Sequence, residues 1–238
     1  MKNKTICTIG AMDCEINKLK DILSDIEEIN YGKFTFFKGR AYDNNIIVAK
    51  SGVGKAAGAI CTQILIDKFN PDFIINTGVA GGLKKGMQIG DVVIATRLVQ
   101  HDFDATALGY ARGYMCNGIK PDKPTYFYPD ENLVKKFQSA LKSTMPGLRY
   151  HAGTIASGDV FISDNKKKQE LVELFDASAV EMESGAIAQC AYLNNIPFVT
   201  IRAISDLADD EASKKLTFTE EDNANLSAKT VRLFLSLI

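Results

Sequence analysis

Four carboxylates stand at positions where acid and base chemistry could be carried out. Glu181 and Glu183 are separated by one residue, directly before an apolar run of small residues. Asp206 follows a wholly apolar stretch, four residues after Arg202, and Glu15 comes shortly after the first apolar stretch of the chain. Two glutamates as close as Glu181 and Glu183 cannot easily reach opposite sides of one bond. A reaction that needs an acid and a base on opposite sides therefore favours a pair that is distant in sequence.

Glu15 and Asp206 also have structural interpretations. Asp13 is predicted to cap a helix whose first turn contains Glu15, and the helix dipole alone favours an acid there. Asp206 could form an ion pair with Arg202 near the surface, or it could be a catalytic acid whose environment is set by burial. The residues alone leave both alternatives open.

Two glycine-rich segments follow apolar stretches. "SGVGKAAG" (Ser51 to Gly58) lacks the first glycine of a phosphate-binding P-loop and the Ser or Thr that should follow Lys55, and its glycine spacing differs from the dinucleotide fingerprint. A tight turn explains this segment, and a close approach to a ligand stays open. "TGVAGGL" (Thr77 to Leu83) has three glycines in five positions, which favours a loop that contacts a flat ligand over a plain turn.

The elements that must position these residues alternate between strands and helices. Short apolar segments predict strands at Thr5 to Ile9, Ile46 to Ala49, Phe73 to Asn76, Val92 to Thr96 and Phe198 to Ile204. Amphipathic stripes between them predict helices, the last from about Thr219 to Ile238. We expect one α/β domain over residues 1–238, with a central, mixed and largely parallel β-sheet flanked by helices. Ligands of such sheets bind at the carboxyl ends of the strands, where these carboxylates and glycines lie.

The composition argues against several classes of partner. The 28 Lys and Arg residues nearly cancel the 29 Asp and Glu residues, so no basic surface for nucleic acid or for acidic lipids is expected. No apolar run approaches the length of a membrane span, and no signal-type apolar core is recognised. These features predict a cytoplasmic protein with a small-molecule ligand. The five cysteines and two histidines lack metal-site spacing, so we expect neither a metal nor a cofactor.

Eight segments resemble, in the same order, those of the nucleoside phosphorylase and nucleosidase superfamily, above all the bacterial 5′-methylthioadenosine/S-adenosylhomocysteine nucleosidases. They are "IGAMDCEI", "KSGVGKAAGA", "PDFIINTGVAGGL", "GDVVIA", "HDFDATALGY", "ASGDVFI", "AVEMESGAIA" and "IPFVTIRAISDLAD". The resemblance runs through nearly the whole chain and implies a nucleoside phosphorylase-like fold. It implies hydrolysis of the N-glycosidic bond of adenosine analogues altered at the 5′ carbon, without a cofactor.

The resemblance also implies roles for individual residues. Asp206 is the acid that protonates N7 of adenine, with Ser205 as a hydrogen-bond partner. Glu15 is the base that deprotonates the attacking water, and Arg202 helps to hold this water. Glu183 accepts hydrogen bonds from the ribose hydroxyls, whereas no role is implied for Glu181.

Contacts with the base and the sugar are implied in the same way. Phe161 stacks on adenine, the backbone of Ile162 contacts the edge of the purine, and Met182 lies beneath the sugar. The remaining implied contacts are Ala80 and Gly81 at the base, with Met12 and Val53 at the sugar and the 5′ group.

A homodimer is implied because, in this family, a neighbouring subunit completes the pocket for the 5′ substituent with apolar residues. The segment "ALGY" assigns this part to Leu108 and Tyr110. Many relatives carry Ser in place of Val79 and an aromatic residue in place of Leu108, and the loop 111–128 departs from the usual pattern. These departures concern the specificity for the 5′ substituent and leave the catalytic pair intact.

Three alternative functions stay open. Phosphorolysis in the same superfamily needs an arginine-bearing glycine loop after the first strand, where this chain has "GAMDCEI" and Glu15 would repel phosphate. Hydrolysis of a related nucleoside, such as 6-amino-6-deoxyfutalosine, would use the same adenine and ribose contacts, whereas AMP would need cations at the 5′ end. A non-catalytic nucleoside-binding protein of this fold would have lost the acid or the base.

Overall fold

A single sheet organises the computed structural model, which describes residues 3–115 and 121–238. The strands of this part of the chain are β1 (Thr5–Gly10), β2 (Ser24–Tyr31), β3 (Phe34–Ala41), β4 (Asn44–Lys50), β5 (Phe73–Asn76), β6 (Val79–Gly82), β7 (Val92–Gln100), β8 (Tyr150–Ser157), β9 (Ala177–Glu181) and β10 (Phe198–Asp206). Their order in the sheet is β2-β3-β4-β1-β5-β10-β6-β9-β8-β7. Because β7 pairs a second time, with β10, five strands close into a ring of pairings.

The sheet is mixed, as the sequence predicts. Parallel pairings join β1 to β4 and β5, β10 to β5 and β6, and β8 to β7 and β9. The antiparallel pairings are β2 with β3, β3 with β4, β6 with β9, and β10 with β7. The five predicted strands are all present. The hairpin of β2 and β3 is an addition, since the mostly exposed, polar sequence "SDIEEINY" of β2 has no apolar run that would reveal it.

Helices cover both faces of the sheet, which confirms the predicted α/β architecture. They are α1 (Asp13–Lys20), α2 (Lys55–Phe69), α3 (Glu131–Thr144), α4 (Asn165–Phe175), α5 (Ser184–Leu193) and α6 (Ala212–Leu235), with a short 3₁₀ turn at Thr106–Leu108. In β5, Phe73 and Ile75 join the hydrophobic cluster that includes α1, α3 and α6, whereas Ile74 joins the cluster that includes α2 and α5. This alternation is what a strand buried on both faces requires.

Two predicted helix starts are wrong. The cap of α1 is Met12 rather than Asp13, and the Asp13 carboxylate instead accepts a hydrogen bond from Lys50 at 2.8 Å. The last helix begins at Ala212 and not near Thr219. The Thr219 hydroxyl donates to the carbonyl of Lys215, one turn earlier, so it lies inside the helix although its spacing to Asp222 is that of a capping box.

No helix within residues 3–115 and 121–238 is long and apolar enough to cross a membrane. The loop 111–128 is described only in part, because residues 116–120, including Cys116, lie outside the described residues.

Candidate active site

A cavity of about 220 Å³ lies where β1, β9 and β10 end. Its walls also include the loop after β4, strand β6, the loop after β8 and one face of α6. The lining residues are Ala11, Met12, Glu15, Val53, Val79, Ala80, Gly81, Phe161, Val180, Glu181, Met182, Glu183, Ser205, Asp206, Leu216 and Glu220. Seven separate segments of the chain thus meet at one site, several of them at the carboxyl ends of strands.

Most of the predicted site residues line this cavity. They are Glu15, Asp206, Met12, Val53, Ala80, Gly81, Phe161, Met182, Glu183 and Ser205. Ile162 lines a small adjoining cavity that shares Phe161 and Asp206 with the main one. Arg202, Leu108 and Tyr110 line neither of them.

Backbone N–H groups hold the Glu15 carboxylate in a fixed position. Its Oε2 accepts hydrogen bonds from Ala11 at 2.5 Å and Met12 at 3.0 Å, and its Oε1 accepts one from Val79 at 2.9 Å. Burial raises the pKa of Glu15 above its ordinary value, against the lowering effect of the Arg202 guanidinium and of these N–H groups. Three N–H donors stabilise an ionised carboxylate, which is the form that a general base needs.

Gly78 is the reason that Glu15 can come this close to the backbone. A Cβ atom at Gly78 would overlap Glu15 Oε1 and would lie 2.6 Å from Nη1 of Arg202. Gly78 also has a φ of +154°, which side chains other than glycine rarely adopt. The glycine-rich segment after β5 therefore serves the placement of a carboxylate as well as the shape of the cavity.

Asp206 lies in a different environment at the end of β10. Its Oδ1 accepts a hydrogen bond from the Ala208 N–H at 2.8 Å, and the predicted bond from Ser205 is present, with Oγ donating to Oδ2 at 2.9 Å. Burial raises the pKa of Asp206, and these two hydrogen bonds lower it only in part. A carboxyl with a raised pKa and few donors is suited to carrying a proton.

Arg202 forms an ion pair with Glu181 rather than with Asp206, which corrects the surface pair considered from the sequence. Its Nη2 lies 2.6 Å from Glu181 Oε2 and also donates to Asn76 and to Ser184, both at 2.9 Å. Arg202 is fully buried beneath the cavity. The structure thus gives Glu181, to which the sequence assigned no role, a partner in the core.

Glu181 fixes the start of α5 as well. Its Oε2 accepts the N–H groups of Glu183 at 3.1 Å and Ser184 at 2.9 Å, and its Oε1 accepts the hydroxyl of Ser157. Burial alone would raise the pKa of Glu181, but the Arg202 guanidinium and these hydrogen bonds outweigh it, so the pKa is lowered. Glu181 is therefore ionised and holds the start of α5 in place. It lines the cavity and also contacts the buried Arg202.

Glu183 is the neighbouring carboxyl, and it holds its proton more tightly than Glu181 does. Its Oε1 accepts the N–H of Gly54 at 2.8 Å, so the glycine-rich segment before α2 contacts a site residue. Burial, and next to it the negative charge of Glu181, raises the pKa of Glu183 to about 8. Arg202 is 3.9 Å away and already paired with Glu181, so its charge offsets the effect only partly.

The residues predicted to serve a neighbouring subunit lie on the surface. Leu108, in the 3₁₀ turn, is 74% exposed, and Tyr110 packs its ring against Tyr114 with centroids 5.2 Å apart. Phe161 and Val53, at the mouth of the cavity, are also exposed.

Sequence reasoning missed several residues of the site. Leu216 and Glu220 line the cavity from α6, whose beginning was placed too late in the chain. Their spacing of four residues is a signal that a correct helix boundary would have revealed. The partners of Arg202 come from three other elements, and no local pattern in the sequence connects them.

Comparisons with known proteins show which family the chain resembles. Residues 5–238 match the profile of the phosphorylase superfamily. A 5′-methylthioadenosine/S-adenosylhomocysteine nucleosidase of Exiguobacterium is 42% identical over 213 residues, which make up 89% of this chain and 88% of that protein.

Solved structures give the same result at the level of the fold. The crystal structure of 5′-methylthioadenosine/S-adenosylhomocysteine nucleosidase from Neisseria meningitidis, in complex with methylthio-immucillin-A, has a TM-score of 0.92 and 37% identity, covering 99% of this chain and 100% of that one. The native structure of futalosine hydrolase from Helicobacter pylori has a TM-score of 0.92 and 33% identity, covering 99% and 98%. With a family profile matched from the first strand to the last residue, the chain belongs to the phosphorylase superfamily.

Proposed function

We propose that this protein is an N-glycosyl hydrolase that releases adenine from 5′-methylthioadenosine, S-adenosylhomocysteine and 5′-deoxyadenosine. The observation that carries the proposal is the presence of Glu15 and Asp206 in one cavity, with three N–H donors on the first and only one N–H and one hydroxyl on the second. Relatives that are 40–42% identical are named for the first two substrates. The products of these two substrates, adenine and a thioribose sugar, connect the reaction to methionine salvage.

Asp206 begins the reaction by donating its proton to N7 of adenine. Protonation makes adenine a better leaving group, and positive charge then develops on the sugar. Ser205 and the Ala208 N–H orient the carboxyl. Stacking of adenine on Phe161, beside Gly81 and Ile162, brings N7 to this acid.

Glu15 completes the reaction by removing a proton from the water that attacks the sugar. The N–H groups of Ala11, Met12 and Val79 hold its carboxylate in place. Glu183 accepts hydrogen bonds from the ribose hydroxyls while Met182 lies beneath the ring. Arg202 is buried and forms an ion pair with Glu181. Its positive charge favours the ionised form of Glu15.

Hydrolysis fits the cavity better than phosphorolysis does. The lining residues, all within the described chain, include four glutamates and one aspartate and no Lys or Arg. A phosphate dianion would have no cationic partner there and would approach Glu15 against its negative charge.

We further propose that the protein forms a homodimer through the face shared by α2 and α5. These helices pack against each other, and their outer side exposes Ile60, Tyr192 and Leu193 at 54%, 59% and 68%. Val53, at the mouth of the cavity, and Leu108, in the 3₁₀ turn, are exposed as well. Exposed apolar residues concentrated on one face are typical of a protein interface. In such a dimer Leu108 and Tyr110 cover the 5′ substituent in the partner's cavity.

The decisive experiment measures adenine release by the purified protein. The substrates are 5′-methylthioadenosine, S-adenosylhomocysteine, 5′-deoxyadenosine and 6-amino-6-deoxyfutalosine, each with and without phosphate. We expect phosphate-independent release from the first three. Strict phosphate dependence with a sugar phosphate product would indicate a phosphorylase, and dominant turnover of the futalosine analogue would indicate the alternative hydrolase. Binding without turnover would indicate a non-catalytic protein.

A further inference from the structure

Glu220 is a carboxylate of the cavity wall to which the proposed reaction gives no part. It lies on α6 four residues after Leu216, and both side chains line the cavity. The spacing of four residues places them on one face of the helix. Since α6 packs against α1, this face borders the first turn of α1, which carries Cys14 and Glu15.

The surroundings of Glu220 differ from those of the other carboxylates in the cavity. Glu15 and Glu183 accept backbone N–H groups, Glu181 is paired with Arg202, and Asp206 accepts two hydrogen bonds. Glu220 is half-buried, and no hydrogen bond or ion pair joins its carboxylate to another described residue. Its charge is therefore available to a ligand.

The neighbourhood of Glu220 is apolar and negatively charged. Leu216 and Met12 supply apolar wall, and the thiol of Cys14 lies close enough to be affected by this charge. Burial, with the Glu15 and Glu220 carboxylates, raises the pKa of Cys14 to about 11, so the thiol stays neutral. A partly desolvated carboxylate in such a place attracts cations more strongly than it would in water.

We propose that Glu220 makes the site selective for substrates whose 5′ substituent carries a cationic group. This inference rests on the proposed function, because Met12 and Val53 border the 5′ group only if adenine and ribose bind as described above. The homocysteine side chain of S-adenosylhomocysteine ends in an ammonium group and a carboxylate on the same carbon, and the methylthio group of 5′-methylthioadenosine has neither. Glu220 pairs with this ammonium and raises kcat/KM for the longer substrate.

Three nucleosides with different charges at the 5′ end test the proposal. They are 5′-methylthioadenosine, its 3-aminopropylthio analogue, which is cationic, and its 3-carboxypropylthio analogue, which is anionic. We expect the wild type to favour the cationic over the anionic compound in kcat/KM, and added NaCl to reduce this ratio because salt screens the pair. In Glu220→Gln the ratio should fall about threefold to fivefold, the size expected for a partly exposed ion pair. In Glu220→Lys it should reverse.

Glu221→Gln is the matched control, because Glu221 is the next residue and is exposed. It removes the same charge from the protein, and its cation-to-anion ratio should equal that of the wild type. An equal drop in both variants, or no drop in Glu220→Gln, would overturn the assignment. Hydrolysis of 5′-methylthioadenosine by the wild type reports on the proposed function separately. If this hydrolysis occurs and the ratio does not respond to Glu220, only the further inference fails.

Discussion

At the scale of single residues, Glu15 and Asp206 differ in how the chain surrounds them. Three backbone N–H groups converge on Glu15, whereas Asp206 receives one N–H and one hydroxyl. N–H donors stabilise a carboxylate anion, and burial with fewer donors favours the neutral acid. The same chemical group can therefore serve as the base at one end of the cavity and as the acid at the other.

Glu15→Gln and Asp206→Asn should each lower kcat for 5′-methylthioadenosine by about 10²–10⁴-fold, the usual contribution of a general acid or base. Neither amide can exchange a proton in the required way, and both keep the shape of the side chain. Stopped assays of adenine release give kcat, and far-UV circular dichroism checks the fold. Wild-type turnover in either variant would remove the role assigned to that residue.

Glu183 should make substrate binding depend on pH. Its pKa of about 8 means that the carboxyl is protonated below this pH and ionised above it. The ionised form accepts hydrogen bonds from both ribose hydroxyls, so KM for 5′-methylthioadenosine should fall as the pH rises towards 8. In Glu183→Gln this dependence should be absent, and KM should be high throughout. A KM profile that is identical in the two proteins would contradict the prediction.

At the scale of elements, strands with a continuous apolar run could be predicted from the sequence and the others could not. β5 and β10 are buried along their whole length, so their composition identifies them. β2 is polar because it lies at an exposed edge, and its pattern is that of a loop. The start of α6 was missed because Thr219 and Asp222 imitate a capping box, a local signal that the tertiary structure overrides.

The same limit applies to the site. Residues at strand ends, such as Glu15 and Asp206, could be nominated because the carboxyl edge of a sheet is where ligands bind. The ion pair of Arg202 and Glu181 could not be predicted, because the two residues come from β10 and β9, which are separated in the sheet by β6. Only the order of the strands brings them together.

The segment between β5 and β6 gives a prediction at this scale. In Gly78→Ala the new Cβ would overlap Glu15 and crowd Arg202, so we expect kcat to fall at least tenfold. Gly86→Ala is the matched control, because Gly86 also has a positive φ, of +86°, and no atom lies within 4 Å of a Cβ built there. Both variants should lose some thermal stability, but only Gly78→Ala should lose activity. Equal kcat values in the two variants would refute the steric argument.

At the scale of the whole molecule, the proposed dimer places an apolar face of one subunit against another. Leu193→Asp should shift the protein towards the monomer in sedimentation equilibrium, because it buries a charge in the interface. It should also raise KM for 5′-methylthioadenosine, since Leu108 and Tyr110 would no longer cover the partner's cavity. Leu237→Asp changes another exposed leucine, which lies just after the end of α6 and outside the proposed interface, and should leave the assembly unchanged. Identical sedimentation of the two variants would argue against this interface.

The second pairing of β7, with β10, has a consequence for how the molecule behaves in a crowded solution. Because this pairing closes one end of the sheet, β2 is the open edge in the described part of the chain. Unpaired backbone groups on an edge strand can recruit strands from other molecules. Here the edge carries Asp25, Glu27 and Glu28, so two such edges repel each other. The ring closure and the acidic edge together protect the fold against strand-to-strand aggregation.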